Sequence, residues 1–347
     1  MPEDASVVQV SRFEFTGHAD EYFRIWIVSL CLALLTLGIY SAWGKVRKRR
    51  YLYSHTRVDG DGFDYRASPL RILKGRVIAV VVFGSVALVG HFLPLAQIAL
   101  FALFLALLPW LIVASARFNA RNTAWRGITF GFDGTVGQAA NVLYGIGVLV
   151  LVTFGLAWPY FRKRRAQFIV EHHRYGATPF GADFTTSAFM VVYMVAGLML
   201  LGTFVVSIVA TLGLLGLAAV LGHQEGFELL AAVPAVMVYA VYLLIYAYVQ
   251  VGTSNATLNG TVVGPLRLHS TLRTPRLAWL YMTNVLAIIA TLGLATAWAT
   301  IRLARYRAAQ LAVLAAAPLS TLLGATGDDA DATASEVSDL FDVDVSL

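Results

Sequence analysis

Thr36-Leu-Gly-Ile-Tyr-Ser-Ala-Trp43-Gly-Lys-Val-Arg47-Lys-Arg-Arg50 closes an apolar run that begins at Ile25, and the phrase returns twice. The second copy is Thr153-Phe-Gly-Leu-Ala-Trp158-Pro-Tyr-Phe-Arg162-Lys-Arg-Arg165, the third Thr291-Leu-Gly-Leu-Ala-Thr-Ala-Trp298-Ala-Thr-Ile-Arg302-Leu-Ala-Arg305. Each holds Thr-x-Gly, then Ala-Trp, then arginines four and seven positions after the Trp. A phrase that recurs at the end of an apolar stretch marks a repeated membrane architecture.

Working outward, hydrophobic residues make up 58% of the chain and charged residues 13%. Apolar runs lie at about 25–43, 77–93, 95–114, 142–160, 188–220, 228–250 and 277–299. Several reach the ~18–20 residues that cross a bilayer, which excludes a soluble enzyme as the default. Calling the first, fourth and seventh runs type A, the order reads A-pair-A-pair-A. Gly90-His91 and Gly222-His223 fall at the turns of the two pairs. Asn122 to Gly127 and Asn255 to Gly260 follow them with equal spacing. The expected fold is therefore an all-α polytopic membrane protein of internally repeated helical units, with about seven apolar spans and short β-hairpins on the membrane face.

The hairpins are read from alternation in Phe13-Glu-Phe15, Phe63-Asp-Tyr65, Phe130-Gly-Phe132, Phe180-Gly-Ala-Asp-Phe184 and Leu266-Arg-Leu268, beside Asp-Gly and Gly-Pro turn signals. The expected organisation is a polar segment with a short strand at 1–21, membrane repeats at 22–138 and 139–275, and a partial third repeat at 276–314. An acidic, disordered tail follows at 315–347. Met1 to Asp20 is polar and lacks the form of a cleavable signal, so the first apolar run would target the chain. Cys31, the one cysteine, lies within that run and reads as a small hydrophobe.

Charge is concentrated: ten Lys or Arg stand against three Asp between Lys45 and Arg76, and none follows Ala308. In a membrane chain this reports topology and anionic headgroups, and nucleic acid is not an expected partner. A conflict follows. If all seven runs span, the basic segments 44–76 and 161–186 lie on opposite sides, against the positive-inside rule. Either the repeats are inverted, or type-A units break at Thr-x-Gly and re-enter, placing every basic run and strand on one cytoplasmic face. Runs of this length usually span, which favours seven spans.

Taken together, Glu21-Tyr-Phe-Arg-Ile-Trp-Ile, Thr36-Leu-Gly-Ile-Tyr-Ser-Ala-Trp43 with its basic run, His55-Thr-Arg-Val-Asp-Gly60 and Phe118-Asn-Ala-Arg-Asn-Thr123 resemble the bacterial YjgN-like family of inner-membrane proteins. The resemblance extends to about Leu314, and the third type-A copy is its weakest part. It implies a multi-pass inner-membrane location and carries over no catalytic residue.

Candidate sites follow from the repeat. On a helix Trp43, Arg47 and Arg50 share a face, as do Trp158, Arg162 and Arg165, and Trp298, Arg302 and Arg305. Interfacial anchoring accounts for such flanks; the sharper reading is a set of repeated clefts for anionic lipid headgroups or another phosphate-bearing ligand. His91 and His223, at matching turns, are a possible pseudo-symmetric site. Asp59-Gly-Asp61-Gly62 fails as a calcium loop, because Phe63, Asp64 and Leu70 occupy positions five, six and twelve. His172 and His173 are adjacent and cannot share one ion from a regular element, so no metal or cofactor is expected. No Asp, Glu or Lys lies at a span centre, where Gln97 and Asn284 are the notable amides. That argues against a proton relay or a catalytic constellation. The expectation is a non-enzymatic inner-membrane protein binding anionic phospholipid or a protein partner, or self-associating; a small-solute transporter or channel is the alternative.

Overall fold

The computed structural model describes residues 9–92, 94–221 and 227–315. The chain enters with β1 (Gln9–Phe15) and then forms a helical hairpin, α1 (Ala19–Leu35) and α2 (Ser41–His55). A β-hairpin, β2 (Thr56–Val58) and β3 (Asp61–Tyr65), leads to the pair α3 (Pro69–Phe92) and α4 (Pro94–Arg121). Next come β4 (Thr123–Trp125) and β5 (Ile128–Phe132). The third hairpin is α5 (Val136–Val152), with a π-helical turn at Asn141–Gly145, and α6 (Trp158–Glu171). Then follow β6 (His173–Tyr175), β7 (Thr178–Ala182), and the pair α7 (Thr186–Leu221) and α8 (Phe227–Asn259). The described chain ends with β8 (Thr261–Val263), β9 (Leu266–Ser270), α9 (Thr274–Ala290), α10 (Thr296–Ala309) and β10 (Leu311–Ala315).

The ten strands close into an antiparallel barrel in which each strand pairs with its neighbours in sequence and β1 pairs with β10. Neighbouring strands run in opposite directions, so all five helical pairs leave from one end. The other end carries the tight turns at Asp59-Gly60, Arg126-Gly127, Gly176-Ala177 and Gly264-Pro265, with the outer ends of β1 and β10. Alternation decides which side chains enter. Phe13, Phe63, Phe130, Phe180 and Leu268 pack against buried Val58, Trp125, Tyr175, Val263 and Val313. Arg12, Glu14, Arg57, Asp64, Arg174 and Arg267 are exposed on the outer face. A lipid-facing barrel is apolar outside and polar inside. This one is the reverse, a water-facing barrel with a packed aromatic core. Phe63 stacks at 6.2 Å on both Phe13 and Trp125, and Phe130 lies 5.1 Å from Tyr175. The Tyr175 hydroxyl donates to the Trp125 carbonyl at 3.0 Å, and burial pushes its pKa up to about 12.

The expectation of an all-α protein with seven spans is thus corrected. The alternating segments build a closed barrel, and among the described residues three helices are long and apolar enough to cross a membrane: Gln97–Arg121, Thr186–Leu217 and Met237–Asn259. The type-A runs 25–43, 142–160 and 277–299 each bend back within the run. A 17-residue arm such as α1 is about 25 Å long at ~1.5 Å per residue, short of a ~30 Å hydrocarbon core. α7 has 36 residues and α8 has 33, roughly 50 Å each.

The reversal is built from Thr-x-Gly in the same way each time. The middle residue takes a left-handed backbone, φ 49° at Leu37, 49° at Phe154 and 50° at Leu292, and the glycine follows at 93°, 89° and 95°. The glycine amide reaches back to the helix, Gly38 to the Ala33 carbonyl at 2.7 Å and Gly155 to Val150 at 2.8 Å. The threonine joins the two arms. Thr36 Oγ1 donates to Leu32 O at 2.7 Å and accepts from the Tyr40 amide at 2.9 Å. Thr153 and Thr291 repeat both bonds with Leu149 and Ala157, and with Ala287 and Ala295. A backbone reversal is tolerated at membrane depth only when its polar groups are satisfied internally. At the tips, Leu37, Phe154 and Leu292 are 95%, 97% and 95% exposed.

The match of Asn122–Gly127 with Asn255–Gly260 does not survive folding. Gly127 sits in a strand turn at φ 81°, whereas Gly260 follows the end of α8. It is Asn122 and Gly260 that occupy corresponding places, each directly before a strand. Asn255 instead closes the base of the neighbouring hairpin, accepting from Ser270 Oγ at 2.7 Å and from the Leu272 amide at 3.2 Å. His223, the side chain of His91 and the acidic stretch from Pro318 lie outside the described residues.

Candidate anion-binding sites

Where each helical hairpin returns to the barrel, its second arm carries the basic residues. The return carbonyls of His55, His172 and Gln310 accept from the amides of Thr16, Asp133 and Thr271, which fixes a common register for α2, α6 and α10. Eight residues back from these carbonyls stand Arg47, Arg164 and Arg302. The tips give the same alignment, with Trp43 and Trp298 six residues beyond Leu37 and Leu292, but Trp158 only four beyond Phe154. The second copy of the phrase has therefore slipped by two residues, about 200° around a helix. Its Trp and Arg residues face elsewhere than those of the other copies. In spatial register, Arg162 corresponds to Lys45 and Thr300, and Arg165 to Lys48 and Leu303.

The consequence is two separate cationic sites. The first is a cleft of about 440 Å³ on the flank of the helical crown, lined by α9, α10 and the first residue of α1. Pairing of β1 with β10 brings α1 beside α10 and so creates it. Arg276, Arg302 and Arg305 line the cleft with Trp298, and among the described residues no carboxylate is in its lining. The Arg302 guanidinium lies 5.0 Å from the Trp298 ring centroid, over a ring 42% exposed. Arg302 also donates to Thr283 Oγ1 at 2.6 Å and to the buried Asn284 Oδ1 at 3.2 Å. The Asn284 amide donates in turn to the Ala299 carbonyl, at 3.4 Å. Arg305 donates to the Gly17 carbonyl at 3.0 Å, tying α10 to the end of β1.

The second is a cavity of about 640 Å³ at the helix end of the barrel. Its floor is the top of the barrel core, Phe13 and Phe63, and its walls come from α6, α8 and α10. Arg162, Arg165 and Arg307 line it, and among the described residues no carboxylate is in the lining. Arg162 donates to Tyr193 Oη at 3.1 Å and Arg307 to Tyr281 Oη at 3.2 Å. Burial, and secondarily the charge of Arg162, pull the Arg165 pKa down from its ordinary value. Opposite stands a polar stripe on α8, Gln250, Thr253, Ser254 and Thr257. Its i, i+3, i+4, i+7 spacing within an apolar helix is a sequence signal that the grouping of Arg162 with Arg165 did not include.

The first copy enters neither site. Trp43 stacks on Tyr40 at 6.0 Å, Arg47 lies 6.0 Å from the same ring, and Arg50 bonds the Tyr65 carbonyl at 3.4 Å. Trp158 stacks on Phe161 at 5.4 Å and is 44% exposed. His172 and His173 close the end of α6 by bonding the Phe168 and Ile169 carbonyls at 2.8 and 2.6 Å. Among the described residues no three His, Cys, Asp or Glu side chains cluster as metal ligands would.

Comparison with known proteins fits this frame. A family model described as a bacterial protein of unknown function (DUF898) matches residues 10–340. The inner membrane protein YjgN of Salmonella typhimurium is 30% identical over 139 residues, 40% of this chain and 35% of that protein. Inner membrane protein YjgN of Escherichia coli K12 is 28% identical over 144 residues, 41% of this chain and 36% of that protein. The matched stretch spans about a third of these relatives' length. No solved structure matches the chain.

Proposed function

The chain belongs to the DUF898 family of bacterial proteins of unknown function, and we propose that it binds anionic phospholipid, with the headgroup in the cleft of Trp298, Arg302 and Arg305. It is an inner-membrane protein, as are the relatives that bear the YjgN name. The lipid reading rests on its own geometry. Helical pairs with apolar tips leave one end of a barrel whose outer face is hydrophilic, so the barrel end of the helices sits at headgroup level. There the cleft offers three guanidinium groups and an indole edge with no carboxylate to neutralise them.

The observation that carries the reading is the held pose of Arg302. Stacked on Trp298 and fixed by Thr283 and Asn284, it is set in place before a ligand arrives. A preorganised guanidinium loses less freedom on pairing with a phosphate than a mobile one. Binding, rather than turnover, is the role we assign. The aromatic packing of the barrel interior gives no support to a solute route along its axis.

The test is lipid co-purification. Protein extracted in mild detergent should retain phosphatidylglycerol or cardiolipin above the bulk ratio, and Arg302→Gln with Arg305→Gln should abolish that enrichment. Unchanged lipid content in a normally folded double variant would sink the reading.

A further inference from the structure

The central cavity is a different site from the flanking cleft, with different walls and a different chemistry. Its three arginines come from two hairpins, Arg162 and Arg165 from α6 and Arg307 from α10. Arg162 and Arg165 lie about one turn apart on the same face of α6, and like charges so placed repel in a partly desolvated pocket. A fold retains uncompensated cations of this kind at a cost in stability, which is the ordinary mark of a binding site.

We propose that this cavity binds one amphipathic anion, a phosphate monoester or diester attached to an apolar body. The anionic group would lie between Arg162 and Arg165 and accept from the hydroxyls of Ser254 and Thr257. The apolar body would rest on Phe63 and Phe13, the exposed top of the barrel core. A cavity of about 640 Å³ is in the range of roughly 300–1,000 Å³ occupied by small organic ligands. Neither component suffices alone. Inorganic phosphate would leave the aromatic floor wet, and a neutral amphiphile would leave the arginines unpaired. The phosphate can come from a bilayer lipid entering between helices or from a soluble organophosphate.

Calorimetric titration of the full chain in phosphatidylcholine nanodiscs decides it, with inorganic phosphate, glycerol 3-phosphate and dihexanoyl phosphatidic acid as probes. Dihexanoyl phosphatidic acid should bind at least tenfold more tightly than inorganic phosphate. In an Arg302→Gln, Arg305→Gln background, which removes the outer cleft, Arg162→Gln with Arg165→Gln should weaken it tenfold or more. Arg162→Lys with Arg165→Lys, which keeps the charges, should retain most of the binding and guards against loss through misfolding. Glycerol 3-phosphate, which carries no apolar body, should bind far more weakly than the short-chain lipid; equal affinity would overturn the amphipathic reading. Loss of binding in the Arg302 and Arg305 background alone would assign the ligand to the outer cleft and overturn the proposal. So would binding of no probe, or binding indifferent to Arg162 and Arg165. The first of those results leaves the outer-cleft reading standing, so the two fail separately.

Discussion

Arg165 shares a wall of the central cavity with Arg162, three residues before it on α6, and among the described residues no carboxylate lines the space with them. Burial and this like charge both disfavour the protonated Arg165. Arg165→Gln should therefore leave the unliganded protein as stable or raise its melting temperature by about 1–3 °C. Thermal unfolding in zwitterionic detergent measures this. A fall of more than about 3 °C would show that Arg165 is structural.

Thr291→Val keeps the shape of the side chain but removes the hydroxyl that joins α9 to α10 at the tip. The Ala295 amide and Ala287 carbonyl lose a partner away from water, at a cost of about 1–3 kcal/mol. Thr36→Val and Thr153→Val should behave alike, because the bonding is the same. Thr300→Val, on the return arm, should cost less. Unfolding midpoints of the four variants provide the comparison.

Asn284→Leu removes the acceptor that holds Arg302 and the donor to Ala299. The expected loss is about 1–3 kcal/mol, together with the headgroup enrichment assigned to the flanking cleft. Asn284→Asp should restore Arg302 positioning but not the bond to the Ala299 carbonyl. Lipid content and thermal stability would thus separate in that variant.

The hairpin tips should lie in hydrocarbon. In a Cys31→Ala background, Phe154→Cys labelled with an environment-sensitive fluorophore should be quenched by lipids brominated deep in the acyl chain. A label at Asp61→Cys, on the far end of the barrel, should not. Equal quenching at both positions would refute the arrangement.

His173 is held neutral. Burial lowers its pKa below the ordinary 6.5, with the neighbouring His172 adding in the same direction. Its ring meets Phe132 edge-on at 5.0 Å. The unfolded chain then binds the proton more readily. Stability from this group is full above about pH 6.5 and is lost as the pH falls towards its depressed folded value. His173→Phe should flatten the decline in melting temperature between pH 7 and pH 5. An unchanged slope would show that other groups govern it.

The half of the barrel that alternates was legible in Phe13, Phe63, Phe130, Phe180 and Leu268, because five or more residues suffice to display a period of two. The partners were not. β2, β4, β6 and β8 have three residues each, too few for any period, and β10 reads Leu-Ala-Val-Leu-Ala, indistinguishable from an apolar helix. Ring closure depends on β1 meeting β10 across nearly the whole described chain, which no local pattern encodes. The type-A runs misled for a different reason. Length and apolarity fit a span, but the bond from the threonine hydroxyl to an amide four residues on makes a reversal tolerable. Trp298, Arg302 and Arg305 could be grouped from the phrase, whereas Arg276, which lines the same cleft from the neighbouring helix, could not. The two-residue slip of the second copy shows only once the hairpin ends are in register, because Trp158 matches Trp43 in the phrase but not in the fold.

Closure between β1 and β10 also sets an order of events in biogenesis. Until Leu311–Ala315 has been synthesised, β9 and β1 each present an unpaired strand edge, and such edges recruit other chains. Leu311–Ala315 is thus the strand whose pairing on both sides leaves the ring without an open edge.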